Sequence, residues 1–519
     1  METVTSFLHM NCMNPKVAAQ LTLDDDFNVP DVNGDIEKCI TKSAGITIDS
    51  VKISEGRVNV RGRMDFKILY LAADEGKRLQ SMGNTISFEE TVNGDQFGND
   101  DFVQASGVID DLNISVINTR KISVKAIVTL TVLSEKAIDC ETIKEIQGDD
   151  TVQALKKPES LLRLAVHKKD TYRVREDIEI PANKLNISEI LWDSITLNNC
   201  STKIYNDKIA LAGEFKVFFM YQPEDEEAPV QWLESSIPFE GELEVAGALE
   251  GALGDIEVGI ASGTLAPKAD YDGEARMVEM EVVLELTMRI YQEEEIDVLQ
   301  DLYSLRQELK PECEKVNCSK LIMKNISQCR ISDKLKLDRE QGTVLQLLSA
   351  QGTAYVENTE VCEKGIRADG IVVMKLMYVA QDDQMPIGIA DEIIPFTHVI
   401  EAEEVSGDSM ILIRPSLEKI SAAMTGNNEI EVKASVVLDT LVMEQEEICV
   451  VTKVEAEPLN LEKLQTIPSM AGYLVKEGDT IWNIAKKYCT TADSIMKNND
   501  KKSDRLKKGE MIFVIKETP

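Results

Sequence analysis

Val58-Asn59-Val60-Arg61-Gly62-Arg63-Met64-Asp65-Phe66-Lys67-Ile68-Leu69-Tyr70 places an apolar side chain or glycine on every second residue. That is the period of a strand with one buried face. The pattern recurs at a shift of 151 as Ile209, Leu211, Gly213, Phe215, Val217, Phe219 and Tyr221. A further shift of 157 gives Ile366, Ala368, Gly370, Val372, Met374, Leu376 and Tyr378. The register holds without a gap upstream, where Val29, Ile36 and Ile40 match Ile180, Ile187 and Leu191, then Leu337, Val344 and Leu348. Downstream, Ile86 and Phe88 match Ile237 and Phe239, then Ile394 and Phe396. Three copies of one unit organise the chain, and a repeat of this kind sets the architecture before any local reading.

Each unit closes on a second alternating segment: Ile122, Val124 and Ala126; then Val278, Met280 and Val282; then Ile430, Val432 and Ala434. Turn residues such as Ser406-Gly407-Asp408 separate the runs, so the expected fold is mainly β, with three tandem antiparallel sandwich-like or barrel-like repeats. The apolar pairs four apart, Ile36 with Ile40 and Ile187 with Leu191, fit a helical turn or the entry to a strand equally well. Gly62, Gly213 and Gly370 lie mid-strand on the apolar face, which points to a bulge, a bend or a close backbone approach. With them, Tyr70, Tyr221, Tyr378, Phe88, Phe239 and Phe396 form a repeated structural motif that supplies no nucleophile and no charge. Glu135–Lys169 and Glu293–Lys324 carry helical spacing and a proline each, Pro158 and Pro311, and read as partly helical connectors between stacked modules. The expected boundaries are repeats at 17–140, 170–296 and 326–455, connectors at 141–169 and 297–325, a linker at 456–470 and a last module at 471–519.

The chain has 519 residues, with 56 Lys and Arg against 91 Asp and Glu, a formal net charge of −35. Such a surface repels phosphate backbones and anionic lipid, which disfavours nucleic-acid and membrane-surface roles. Ten cysteines are scattered without a C-x-x-C pair, residues 1–16 lack the features of a secretory signal, and no long apolar run occurs, so a reducing cytoplasm is the expected compartment. No metal or cofactor is expected. No phosphate-binding glycine loop, zinc-binding helix or nucleophile elbow is present, and His9, His167 and His398 stand alone. An enzyme is therefore not expected.

Residues 471–519 differ in character. They hold ten Lys or Arg and seven Asp or Glu, a net of +3, which leaves −38 on the remainder. Tyr473 and Val475 alternate, Gly478-Asp479-Thr480 turns the chain and caps a helix, and Ile481, Ile484, Ala485 and Tyr488 share one helix face. A second helix holds Ile495, and Ile512 with Val514 forms a return strand. This βααβ pattern, with Asn499, Leu506 and Gly509 in place, strongly resembles a LysM domain, although Ile515 stands where the strand usually ends in proline. The resemblance implies a shallow N-acetylglucosamine-binding groove made by Gly478, Asp479, Thr480, Ile481, Asn499 and Asp500. Trp482 lies one position off the apolar stripe, so it reads as an exposed anchor for a partner unless the helix packs on a neighbouring part of the chain.

Three β repeats followed by one LysM module resemble the SipL family of spore-morphogenesis proteins, whose repeats are called SPOCS domains. That resemblance implies a scaffold in endospore coat assembly, acting in the mother-cell cytoplasm at the forespore surface. The implied partner of the LysM surface is a coat-morphogenetic ATPase of the SpoIVA type, with other coat proteins recruited by the repeats. The competing expectation is a wall protein that binds peptidoglycan through the LysM groove.

Overall fold

The computed structural model describes residues 2–73, 78–94, 97–225, 227–337, 343–381, 387–403, 405–426, 428–501 and 503–517. The first repeat contains β1 (Glu2–Met13), β2 (Val17–Asn28), β3 (Ile36–Ser54), β4 (Arg57–Ala72), β5 (Leu79–Asn93), β6 (Phe102–Asn118) and β7 (Lys121–Gln147). The second contains β8 (Val152–Glu179), β9 (Ile187–Tyr205), β10 (Lys208–Pro223), β11 (Gln231–Glu244), β12 (Leu253–Lys268) and β13 (Met277–Ser304). The third contains β14 (Gln307–Lys336), β15 (Val344–Cys362), β16 (Gly365–Ala380), β17 (Ile387–Glu401), β18 (Met410–Gly426) and β19 (Glu429–Pro458). After them come α1 (Leu461–Thr466), β20 (Met470–Leu474), α2 (Ile481–Tyr488), α3 (Ala492–Asn498) and β21 (Met511–Ile515).

Each repeat is a sandwich of two antiparallel sheets. One is a meander, β3-β4-β5, β9-β10-β11 or β15-β16-β17, whose middle strand is the alternating segment read from the sequence. The other is centred on the long closing strand β7, β13 or β19. The even-numbered residues of β4 and their counterparts, Val58, Val60, Met64, Phe66, Ile68 and Tyr70 in the first repeat, fill the space between the sheets.

The repeated glycine and phenylalanine are direct partners across the meander: Gly62 with Phe88, Gly213 with Phe239, Gly370 with Phe396. On the other side each glycine faces a register shift in the preceding strand. The phenylalanine ring lies where a β-carbon would project, so a Cβ on Gly370 would sit 2.5 Å from Phe396 Cζ and 2.3 Å from the Tyr355 carbonyl oxygen. The aromatic side chain covers the glycine and the bulge bends the sheet over the core. Tyr70 and Tyr221 anchor the far end, the first donating to the Gly34 carbonyl at 3.3 Å and the second to the Leu185 carbonyl at 3.1 Å. Arg120 and Arg276, which the sequence reading did not single out, clamp the turn that enters each meander. Arg120 donates to the carbonyls of Val29, Pro30 and Asn33, Arg276 to those of Ile180, Pro181 and Lys184.

The segments expected to be partly helical connectors are strands. Glu135–Gln147 pairs with β1, Tyr291–Ser304 with the first half of β8, and Met443–Pro458 with the first half of β14. Each closing strand therefore serves its sandwich with one half and a two-stranded ribbon with the other. The helical spacing came from register shifts, such as those at Ile290/Tyr291 and Leu299/Asp301, which break the two-residue period that a straight strand would show. The three ribbons pack together through Leu8, Met10, Leu161, Val298, Ile448 and Val450.

The modules do not stack in a line; they close on one another. Residues 42, 193 and 350 are equivalent positions, and each accepts a lysine from the preceding repeat in cyclic order. Lys67 of the first pairs with Asp193 of the second, Lys216 of the second donates to the Ala350 carbonyl of the third at 3.4 Å, and Lys375 of the third donates to the Lys42 carbonyl of the first at 2.7 Å. Beneath this ring, Leu69, Met220 and Met377, again equivalent, meet Leu191 and Leu348 in a shared apolar centre, with Ile40 against it. This resolves the four-residue spacing. Ile36, Ile187 and Val344 belong to the separate sandwich cores, whereas Ile40, Leu191 and Leu348 are the extra, unpaired residues of bulges, turned toward the common axis.

Where sandwiches become ribbons, the equivalent positions hold Glu135, Tyr291 and Met443, all buried. Tyr291 donates its hydroxyl to Glu135 at 2.9 Å and Asn11 donates its amide to the other oxygen at 2.6 Å. Burial outweighs these bonds and the nearby Arg289 charge, and pushes the Glu135 carboxyl up to about 7. Beside it, buried Asp255 is held by Arg289 from its own repeat and Arg414 from the third.

Two outcomes follow from this packing. Gly370→Ala has no room for its methyl and should cost ~1–3 kcal/mol in denaturant unfolding, whereas Gly259→Ala, with nothing within 4 Å of the added carbon, should change stability little. A carboxyl with a folded value above its unfolded one of 4.5 disfavours the fold increasingly as pH rises from about 4.5 to about 7. Glu135→Gln removes that cost, so the difference in unfolding free energy between the variant and the parent chain, read by denaturant titration, should grow across this window and level off above it at about 3 kcal/mol.

Candidate functional site

The last module builds its core from Val475, Ile481, Ile484, Ala485, Ile495, Ile512 and Val514. Thr480 caps α2 by accepting from the Asn483 amide at 3.1 Å, and Thr491 caps α3 by accepting from Ser494 at 3.1 Å. Gly478 has φ +85 with open space around it, the left-handed geometry that the turn before α2 needs.

Of the residues expected to form a groove, several are committed to holding the module's own backbone. Asp479 accepts from the Lys476 amide at 2.7 Å and the Tyr473 hydroxyl at 2.9 Å, and these bonds hold its carboxyl below the usual carboxylate range. Asn499 donates to the Ile495 and Phe513 carbonyls and accepts from the Phe513 amide, each at 2.7 Å, so it seals the outer edge of β21. Ile481 is buried. Gly478, Thr480 and Asp500 remain exposed, Asp500 with φ +52 at the end of α3.

Trp482 is placed differently from the exposed position expected of it. Its indole Nε1 donates to Asp301 Oδ2 at 2.8 Å and its ring meets Tyr303 edge-on at 4.9 Å between centroids. Lys486, one turn on, pairs with the same Asp301 carboxylate at 2.7 Å, and Tyr303 donates its hydroxyl to the Thr490 carbonyl at 2.7 Å. Tyr303 and Leu305 enter the module's core, and burial pushes the Tyr303 hydroxyl well up. The basic module is thus docked on the tip of the second repeat's ribbon, a surface neither the third repeat nor the linker supplies. The sequence reading missed Asp301, Tyr303 and Leu305. Leu302-Tyr303 beside Leu305 in a supposed connector was the available signal, an aromatic among apolar residues at a chain reversal.

Elsewhere, an open cleft of about 840 Å³ between the second and third repeats is lined by Glu214, Lys216, Glu234, Arg330 and Glu418, with Lys216 paired to Glu234 at 3.2 Å. Within it the Ser435 hydroxyl donates to Glu418 at 2.7 Å. Among the described residues no cluster of three or more His, Cys, Asp or Glu has metal-binding geometry, and no helix is long and apolar enough to cross a membrane.

Comparison with known families assigns residues 35–117, 186–263 and 343–425 to the SipL, SPOCS domain family, and residues 473–514 to the LysM domain family. The chain has SipL-like architecture. Neither the curated proteins nor the solved structures include a match. Each SPOCS match takes in the meander sheet and the strand that follows it, while the ribbon halves fall outside. SPOCS and LysM are binding modules, and their combination supports a sporulation-coat-related or LysM-type binding protein.

If Trp482 and Lys486 hold the LysM domain to the ribbon, Trp482→Ala should loosen its seat on Asp301 and Tyr303. Loss of an indole anchor with its hydrogen bond is expected to cost ~2 kcal/mol or more, a shift in the docking equilibrium of over tenfold. Limited proteolysis of residues 459–469 should accelerate accordingly, and small-angle scattering should report a larger radius of gyration.

Proposed function

We propose that this chain is a non-enzymatic scaffold of the endospore coat, acting in the mother-cell cytoplasm at the forespore surface. Its LysM domain binds a SpoIVA-type morphogenetic ATPase, and its three SPOCS domains present repeated surfaces to other coat proteins, gaining strength from multivalency. The observation that carries this reading is the combination of three SPOCS domains and one LysM domain in a single chain, together with the dock that joins them. A LysM domain seated on Asp301 and Tyr303 transmits position, so whatever it binds is held at a fixed place relative to the three repeats. With Trp482 engaged inside the molecule and Asn499 bonded to Ile495 and Phe513, the surface left for the partner is Gly478, Thr480 and Asp500.

A second reading, binding of peptidoglycan through the LysM groove, is favoured by the LysM match itself, since glycan is the ligand usual for that domain. The two separate cleanly by calorimetric titration of the full-length chain against the purified ATPase and, in parallel, against soluble muropeptides. The full chain is required because Tyr303 and Leu305 complete the LysM core. The scaffold reading expects heat only with the ATPase, and Asp500→Lys should weaken that binding tenfold or more, about 1.4 kcal/mol. Heat only with muropeptides overturns it.

A further inference from the structure

The two-stranded sheet of the LysM domain is apolar on both faces. Tyr473, Val475, Ile512 and Val514 point into the core, while Met470 (58% exposed), Leu474 (57%), Met511 (73%) and Phe513 (43%) stand on the other side in open solvent. The strand register sets Leu474 against Met511 and Gly472 against Phe513, so these side chains form one continuous patch. A sheet with one solvated face alternates apolar with polar residues, whereas Met511-Ile512-Phe513-Val514-Ile515 is the unbroken run of a strand covered on both sides. Exposed Lys476 and Lys507 flank it, in a module of charge +3.

A second such patch lies on the third repeat. On the outer face of its meander, Val373 (37% exposed) is paired with Ile393 (62%), and Ile371 with exposed Pro395. The other repeats serve as internal controls. The positions of Val373 and Ile393 are Asp65 and Thr85 in the first repeat, where the threonine donates to the aspartate at 2.6 Å. In the second they are Lys216 and Ser236. The fold therefore does not ask for apolar residues here, and only the third repeat has them. Exposed Asp391, two residues from Ile393 and 3.9 Å from Lys375, borders the patch, on a body of charge −38.

We propose that these two surfaces bind each other between copies of this chain, the LysM sheet of one copy seating on the third-repeat meander of the next. Apolar area meets apolar area, and a basic rim meets an acidic one. Contact within one molecule is excluded by the architecture. The LysM domain sits at the ribbon tip and the meander at the sandwich, separated by a ribbon of about 40 Å. Two unlike complementary surfaces at opposite ends of one body make a head-to-tail contact that propagates into open chains unless it closes on itself. This inference is independent of the partner of the LysM groove, since the sheet's outer face is neither the Gly478 to Ile481 loop nor Asp500.

The test is sedimentation velocity of the full-length chain over a concentration series at low salt. Growth past the dimer with rising concentration is expected, and added salt should weaken it by screening the rims. Val373→Lys with Ile393→Ser installs the second repeat's residues at a surface that tolerates them. Met511→Glu alters a side chain that is almost three-quarters exposed. Each variant should lose tenfold or more in self-association with its Tm unchanged, yet mixing the two should give one-to-one pairs and nothing longer, because each retains one intact surface. A parent chain that stays monomeric throughout overturns the proposal. So does self-association that Met511→Glu abolishes and the third-repeat variant leaves intact, which would mark a symmetric contact between LysM sheets.

Discussion

The division of the three closing strands between two partners governs everything else in this molecule. β7, β13 and β19 are each one continuous strand that spends one half in a sandwich and the other in a ribbon, with register shifts at Ile290/Tyr291 and Leu321/Met323 where the halves meet in the second and third repeats. A strand continuous across that boundary cannot let the sandwich rotate freely against the ribbon. Once the three ribbons pack through Leu8, Leu161, Val298 and Ile448, the three sandwiches are held at a common junction, and the cyclic lysine contacts at 42, 193 and 350 complete the ring. The single interruption of the pattern, Asn14 to Lys16 between β1 and β2, falls where Pro15 has no amide to give. Met13 and Asn14 are tied across the break, the first receiving a bond from Gln445 of the third repeat and the second donating to Ser134.

Three nearly equivalent modules around one axis create sites that the copies fill differently. At the junction, Glu135, Tyr291 and Met443 occupy one structural position and supply an acceptor, a donor and an apolar side chain, which a true threefold could not do. Asp255 likewise draws one arginine from its own repeat and another from the third. A buried charge is costly unless well bonded, so these asymmetric pairings favour one order of repeats round the ring over others of similar shape. The same divergence at the position of Asp65, Lys216 and Val373 gives an exposed carboxylate in the first repeat, a lysine turned to the third repeat in the second, and an exposed apolar side chain only in the third.

Much of the fold was legible because a threefold repetition averages out local ambiguity. The alternation in β4, β10 and β16 and the apolar faces of the LysM helices follow from residue spacing, and the mid-strand glycines pointed to a bulge, a bend or a close backbone approach, whereas their facing phenylalanines and the choice of Thr480 and Thr491 as caps emerge only in the fold. Ribbons and ring were hidden for one physical reason: bulges. An extra residue in a strand shifts the period from two toward three or four, so Ile36 with Ile40 and the Glu135 to Lys169 segment imitate a helix on paper. The same bulges turn Ile40, Leu191 and Leu348 outward to the shared centre, so the feature that obscured the strands is what assembles the modules. At the LysM site, Trp482 lies one position off the helix stripe and packs where the domain's core meets Tyr303. Its true neighbours Asp301 and Tyr303 could not be inferred, since contacts about 180 residues apart leave no periodic trace.

The docking of the LysM domain has a consequence for any scaffold role. Asp301 is a shared acceptor for an indole N–H and a lysine, and Tyr303 spans from the ribbon into the LysM core, so domain and ribbon behave as one stiff element. A flexible tether would leave a partner's effective concentration near the repeats set by linker length alone. A stiff mount instead fixes distance and orientation. With the LysM loop held at one end and the three meanders at the other, the ribbon sets the distance between them.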